Sequence, residues 1–314
     1  MNRDLPPEAV AFGAAAARAL AAAGGIDLAR RAEAASAVRA EAAGVLGRLG
    51  VGDLDPRADL ETACAAAELC RAAGAAALPY PVVGTLLAGD GAPLAVVGGG
   101  QWRVDHGDLF PRWRVAGPDG RWRTGCPVGP PLGTRLGPFV TDLAASGTGG
   151  RTVDGGDGAG AEVALHLVLS GWRLLGVVQR AVALAVAHVR HRVQFGRPLA
   201  AFQAVQFQVA DASVAVDGLD ELCRFTLWRL SADPDAALVD ALALRLHALD
   251  VARLVLRTSQ QLHGAAGMCD EYDISILCRH VQPDLRLPWG SEATAARLLD
   301  AAAVSGFSGL FPHH

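Results

Sequence analysis

The sequence predicts a mainly α-helical protein with an N-terminal helical domain, a reduced β domain in the middle and a C-terminal helix bundle. Two observations support this fold class. Apolar residues such as Leu174, Val178 and Val182 recur at intervals of three or four residues over long stretches, a period typical of helices. Between residues 91 and 150, short segments rich in valine and tryptophan alternate with Gly, Pro and Asp, which indicates strands and turns. We therefore expect domains at residues 1–90, 91–150 and 151–314.

The first and second regions contain clear sequence breaks. In residues 1–90 the Ala-rich helical pattern is broken at Pro56 and at the Pro79–Pro81 corner. In the middle region, an arginine directly follows each of Trp102, Trp113 and Trp122. This pattern predicts paired side chains at the surface of edge strands or at an interface. The glycine-rich stretch from Gly147 to Gly160 follows no strand-loop-helix pattern, so we interpret it as a linker or a barrel edge rather than a nucleotide loop.

Composition excludes several classes of function. All 28 basic residues among the 314 are arginines and the formal net charge is -4. Chemistry that needs a lysine, such as a Walker A site or a Schiff base, is therefore absent, and no electrostatic pattern suggests a nucleic-acid partner. The six cysteines form no C-x-x-C pair and we find no export signal, which favours free thiols and a cytoplasmic location. The longest uncharged run, residues 72–89, contains prolines and glycines, so we expect no membrane span there.

The segment 188–212 carries the strongest local signal. Helical periodicity stops at Gly196 and Pro198 and resumes at Phe202, which predicts two helices joined by a sharp corner. Arg192, Gln194 and Gln203 lie around this corner. A planar guanidinium beside amide groups suits a phosphate or a diphosphate.

Two sequence blocks form a recognisable pattern. The first is R-x-Q-F-G-x-P from Arg192 to Pro198, followed by F-Q-x-x-Q; the second is QLHGAAG from Gln261 to Gly267, followed by Glu271, Tyr272 and Arg279. Together they resemble the acyl-CoA dehydrogenases, which are FAD enzymes. The resemblance covers roughly residues 160–310 and implies an acyl-CoA dehydrogenase-like fold. It also implies that the adenosine-diphosphate end of FAD is bound by residues of both blocks. These residues are Arg192, Gln194, Phe195, Phe202, Gln203, Gln261, Gly264 and Ala265, with Ala265 in place of the second glycine of the family.

Other parts of the family pattern are missing. The middle region contains no T-E-P-x-x-G-S type segment, which cradles the flavin ring in the family. The E-G-T segment that usually carries the catalytic base corresponds to residues 287–291, which include no acid. Two alternatives for a base remain: Glu292, at the start of a helical run, and His166, where some family members carry the base. No histidine pattern indicates a metal site.

The resemblance therefore implies a subunit that keeps only one side of a shared flavin site. We expect a partner of a homologous catalytic subunit, like the smaller, non-catalytic subunits of heteromeric acyl-CoA dehydrogenases in bacterial steroid degradation, acting on an acyl-CoA as a dimer of heterodimers. Two alternatives remain. The chain is a self-sufficient flavoenzyme that uses His166 or Glu292, or it is a non-redox acyl-CoA-binding or scaffold protein. The sequence does not identify the acyl group.

Overall fold

The N-terminal region is helical. A computed structural model describes residues 4–117, 119–133, 135–146, 159–233 and 237–305. The first five helices are α1 (Pro7–Ala22), α2 (Ile26–Ala34), α3 (Arg39–Arg48), α4 (Leu60–Ala75) and α5 (Val82–Leu86). Helix α4 begins after Asp59, whose side chain accepts a hydrogen bond from the backbone N–H of Thr62 at 2.7 Å, the usual cap of a helix amino end.

A five-stranded sheet follows. Its strands are β1 (Leu94–Val96), β2 (Trp102–Asp105), β3 (Trp113–Ala116), β4 (Trp122–Val128) and β5 (Val140–Ala145). Their order in the sheet is β1-β3-β4-β5-β2. Strands β1 and β3 are parallel, with Leu94 opposite Arg114, and the other pairs are antiparallel.

The C-terminal region is a helix bundle. It contains α6 (Ala159–His191), α7 (Gln203–Ala232), α8 (Ala237–His263), α9 (Asp273–His280), α10 (Gln282–Arg286) and α11 (Ser291–Ser305), and the two-residue strands β6 (Val193–Gln194) and β7 (Arg197–Pro198). Helix α6 is long and apolar enough to cross a membrane, but 83% of its most apolar window is buried. This burial is typical of the core helix of a bundle.

Glycines allow the N-terminal and C-terminal helices to approach closely. A Cβ atom at Gly74 in α4 would collide with the backbone carbonyl of Arg173 in α6, and one at Gly176 would collide with the carbonyl of Arg71. Only residues without a side chain permit this crossing. The two regions are therefore packed backbone against backbone.

The structure confirms the fold class and corrects one detail of the β region. Trp113 is 1% exposed, and its Nε1 atom donates to the carbonyl oxygen of Gly107 at 2.8 Å. It is a core residue on an inner strand, not a surface pair at an edge, because the alternation of β3 turns it towards the sheet's packed face. Trp102 and Trp122 are partly exposed. The connector from Gly147 lies outside the described residues up to position 158, and the domain limits at 90 and 150 stay predictions.

Candidate functional site

The corner after α6 is a tight hairpin. Gln194 pairs with Arg197 across it, and the intervening Phe195 and Gly196 both have positive φ, +53° and +77°. Two successive positive φ angles are typical of the two-residue turns that reverse a hairpin. The backbone N–H of Leu199 donates to the carbonyl oxygen of Arg192 at 2.8 Å, which closes the corner. The predicted helix–corner–helix is therefore confirmed.

The predicted cofactor residues at this corner face solvent. Arg192, Gln194 and Gln203 are exposed, and Phe195 is 90% exposed. Phe202 is partly buried; its ring meets Phe195 edge to face at 6.2 Å. Within the described part of the chain, the guanidinium of Arg192 makes no hydrogen bond or ion pair. A free cation and exposed amides are thus available to an external ligand.

The second predicted segment lies at the carboxyl end of α8. Gln261, Gly264 and Ala265 are all exposed. Gly264 has φ +61°, and a Cβ placed on it would have no atom within 4 Å. The left-handed conformation explains the glycine, and the open space leaves its backbone accessible.

An open cleft joins the ends of α6 and α8. It has a volume of about 560 Å³ and is lined by Arg192 and His188 from α6, His263 from α8, and Glu271 and Tyr272 before α9. Of the predicted cofactor residues, Arg192 lines this cleft. His263, which also lines it, lies between the predicted residues Gln261 and Gly264 in the sequence. Sequence reasoning missed His188 and His263. The sequence offered one signal for them: each histidine lies in the last turn of a long helix.

A second, narrow cavity lies where the N-terminal region, the sheet and α6 meet. Its volume is about 100 Å³, room for a few water molecules and well below the roughly 300 Å³ of a typical small-molecule pocket. His166 and Asp105 line it. Neither His166 Nδ1 nor Asp105 Oδ1 has a hydrogen-bond partner among the described residues.

The electrostatics of this cavity differ from those of solvent. Burial lowers the pKa of His166 to about 3, and the charge of Arg245 lowers it further. Burial raises the pKa of Asp105 to about 6, against the opposing charges of Arg173 and His280. His166 is therefore neutral at neutral pH. Asp105 is a partly buried carboxyl. No local sequence pattern singles it out, because its environment is formed by distant segments.

The segment that lacks the expected acid is held by an arginine. Arg245 in α8 is 0% exposed, and its Nη2 atom donates to the carbonyl oxygens of Leu287 at 2.8 Å and of Trp289 at 3.0 Å. Glu292, the other proposed base, is exposed in the first turn of α11. It does not line the narrow cavity.

Metal chemistry finds no support in the described ranges. Among those residues no group of three or more His, Cys, Asp or Glu side chains is arranged to hold a metal ion.

Comparison with known proteins identifies the C-terminal region. Residues 166–302 match the family described as acyl-CoA dehydrogenase, C-terminal domain. A short-chain-specific acyl-CoA dehydrogenase from Megasphaera elsdenii is 31% identical over 134 residues, which cover 41% of this chain and 34% of that protein. The chain matches about a third of the length of such curated relatives. FAD is the cofactor of this family.

Solved structures resemble the whole chain. The ChsE4-ChsE5 complex from Mycobacterium tuberculosis contains a chain with a TM-score of 0.79 and 18% identity, covering 96% of this chain and 99% of that one. A variant of the Tcur3481-Tcur3483 steroid ACAD gives a TM-score of 0.74 and 21% identity, covering 95% and 98%. The fold is therefore that of the acyl-CoA dehydrogenases over nearly the whole length.

Proposed function

We propose that this chain, whose residues 166–302 form an acyl-CoA dehydrogenase C-terminal domain, is one subunit of a heteromeric FAD-dependent acyl-CoA dehydrogenase. It contributes the adenosine-diphosphate side of a shared FAD site. A homologous catalytic subunit contributes the flavin-ring side and the base. The substrate is an acyl-CoA thioester, which is converted to the α,β-unsaturated product.

The proposal rests on the difference in volume between two cavities. The cleft beside Arg192 is open and has about 560 Å³, whereas the cavity between the sheet and α6 has only about 100 Å³. A flavin ring with an acyl chain needs a space of the size of ordinary ligand pockets, a few hundred Å³ or more. The cleft beside Arg192 thus has room for the diphosphate end of FAD, whereas the cavity between the sheet and α6 is too small for the flavin ring.

The residues around the corner would hold the diphosphate end. Arg192 supplies a charge-assisted donor, and Gln194, Gln203 and Gln261 supply amide donors. The accessible backbone at Gly264 and Ala265 permits close approach, and the exposed rings of Phe195 and Phe202 offer apolar contact. The chemistry that FAD supplies when bound is the acceptance of a hydride from the β-carbon of the thioester.

The catalytic base belongs to the partner in this proposal. Proton abstraction at the α-carbon needs a base with a suitable pKa in reach of the substrate. Here residues 287–291 provide no acid, and the pKa of His166 is too low for it to accept a proton readily near neutral pH. Arg245 instead fixes the backbone of this segment.

A steroid-derived acyl group is the substrate class we propose. One similar structure is called a steroid ACAD, which supports this substrate class. Another is a complex of two named chains, ChsE4 and ChsE5, which supports a heteromeric assembly. Large exposed apolar residues on α7 and α11, namely Phe207, Val214 and Leu299, also fit an assembly with further chains.

Co-expression tests this function. The chain is produced alone and with the homologous chain encoded beside it, and flavin absorbance and acyl-CoA oxidation are measured. We expect bound FAD and turnover only with the partner. Bound FAD and turnover by the chain alone would favour the self-sufficient enzyme, and neither under both conditions would favour the non-redox protein.

A further inference from the structure

We propose that His188 and His263 form a proton-linked binding element for the diphosphate of FAD, in which the two imidazoles bind as cations, so that FAD binding takes up protons. This inference rests on the proposed function and extends it to two residues and to a dependence on pH. It follows from the geometry of the cleft at the ends of α6 and α8.

The two histidines form one stacked unit. Their ring centroids are 4.4 Å apart with an interplanar angle of 30°, and Tyr272 meets each ring edge-on at 6.4 Å. The Nδ1 atom of His263 lies 2.7 Å from the carbonyl oxygen of Ser259. Because a carbonyl only accepts hydrogen bonds, Nδ1 carries the proton, and Nε2 is left for another partner.

An anion can bind beside the two histidines only if positively charged side chains are present there. His188 and His263 lie in the last turns of α6 and α8. Helix carboxyl ends carry a partial negative charge, whereas anions normally bind at amino ends. A diphosphate in this cleft therefore needs positive side chains, and the same helix ends stabilise a protonated imidazole.

The other charges in the cleft nearly cancel. Arg192 and Glu271 both line it, with opposite charges, together with His191 and Tyr272. Asp273 also faces it, but Arg30 binds this carboxylate at 3.0 Å and Arg180 lies 3.5 Å from it. With both imidazoles neutral the cleft has little net charge. Their protonation gives it the positive charge that a diphosphate requires.

The direction of the pH effect follows from linkage. In the free chain, burial, His263 and Arg192 lower the pKa of His188, so this ring is neutral at neutral pH. A bound diphosphate favours the charged ring and raises that pKa. Affinity then increases as pH falls, by up to about tenfold per pH unit for each proton taken up.

The test measures FAD affinity of the assembled complex against pH. Flavin-depleted complex is titrated with FAD between about pH 6 and about pH 8, the range in which histidine titrates. Calorimetry in buffers of different ionisation enthalpy counts the protons taken up. The doubly substituted complex with His188→Asn and His263→Gln is compared with wild type. His247→Asn, an exposed histidine on the same helix α8, is the matched control.

We expect wild type and His247→Asn to bind FAD about tenfold more tightly at the lower pH, with measurable proton uptake. The double variant loses most of that dependence and binds with similar affinity at both ends. Riboflavin, which has no diphosphate, shows no difference between wild type and the double variant.

Two results would overturn the inference, and they differ in what else they affect. If FAD binds with the same pH slope in wild type and in the double variant, the histidine pair has no such role, while the proposed function stands. If the assembled complex binds no FAD at any pH, both the inference and the proposed function are wrong.

Discussion

The buried guanidinium of Arg245 donates from Nη2 to the backbone carbonyl oxygen of Trp289 at 3.0 Å, and the same atom reaches the carbonyl of Leu287. The Nε and Nη1 atoms of this side chain have no hydrogen-bond partner among the described residues. The resemblance to the acyl-CoA dehydrogenases predicts that the segment 287–291 corresponds to the one that usually carries the catalytic base in that family. Here α8 holds its backbone with a buried cation.

Arg245→Ala should destabilise the fold. The substitution removes the guanidinium donor from the partly buried carbonyl of Leu287 and from that of Trp289, which also accepts from Oγ1 of Thr294 at 3.4 Å. An acceptor left unsatisfied costs about 1–3 kcal/mol, and the substitution also opens a cavity in the core. Burial lowers the pKa of Arg245 to about 9, so removing the buried charge offsets part of this loss. We expect a net loss of about 1 kcal/mol or more in the free energy of unfolding, measured by denaturant titration. Arg257→Ala, an exposed arginine on the same helix, is the control and should change stability by less than about 0.5 kcal/mol. If the two substitutions changed the free energy of unfolding equally, Arg245 would not have this structural role.

Asp105→Asn should stabilise the protein at neutral pH. Burial raises the pKa of Asp105 to about 6 from the ordinary 3.8, so ionisation is more costly in the folded state than in the unfolded one. Wild-type stability is therefore lowered as pH rises from about 4 through about 6, by up to about 3 kcal/mol at 1.4 kcal/mol per pKa unit. The amide removes this penalty.

Thermal unfolding as a function of pH measures the effect of Asp105→Asn. The gain in stability should be complete near pH 8 and absent near about pH 2, where the wild-type carboxyl is protonated in both states. Asp53→Asn, at an exposed position, should show no such profile. A variant that is less stable than wild type at every pH would contradict the assignment.

Arg192→Ala should weaken FAD binding in the assembled enzyme. The side chain is exposed beside the open cleft and makes no bond to another described residue, so its removal deletes a charge-assisted contact with the diphosphate. Such a contact contributes about 2 kcal/mol, roughly a thirtyfold change in the dissociation constant. Arg190→Ala, two residues earlier and also exposed, should retain wild-type affinity. Unchanged retention of FAD in the Arg192 variant would exclude this residue from the site.

His166→Ala and Glu292→Gln should leave turnover of the complex within a few-fold of wild type. Glu292 is exposed and away from the narrow cavity, and burial lowers the pKa of His166 to about 3, which makes it a weak base. A true general base contributes roughly a hundredfold or more. Steady-state kinetics on folded, flavin-loaded variants decide this. A collapse of turnover in either variant would support the self-sufficient enzyme instead.

The fold and the corner between α6 and α7 were predictable because their signals are local. Helical period, the turn at Gly196 and the two motif blocks all lie in continuous sequence, and the fold prediction is confirmed. The properties of Trp113, Asp105 and Arg245 depend on segments far apart in the chain. A tryptophan flanked by arginine has the same local pattern on an edge strand as on an inner one, so only the strand order places Trp113 in the core.

The histidine pair was hidden for a related reason. His188 and His263 are 75 residues apart in the printed sequence, and they stack only because α6 and α8 end at the same place. In the sequence, the histidine nearest to His188 is His191, three residues later, and this spacing gives no indication of a contact with His263.

The composition of the purified complex distinguishes a shared flavin site from a self-sufficient subunit. Native mass and the FAD-to-protein ratio are measured together after co-expression with the homologous chain. We expect a dimer of heterodimers with fewer flavins than chains, while the chain alone is poorly soluble or a homodimer. A soluble monomer of this chain, or a homotetramer with one FAD in every copy, would contradict this expectation.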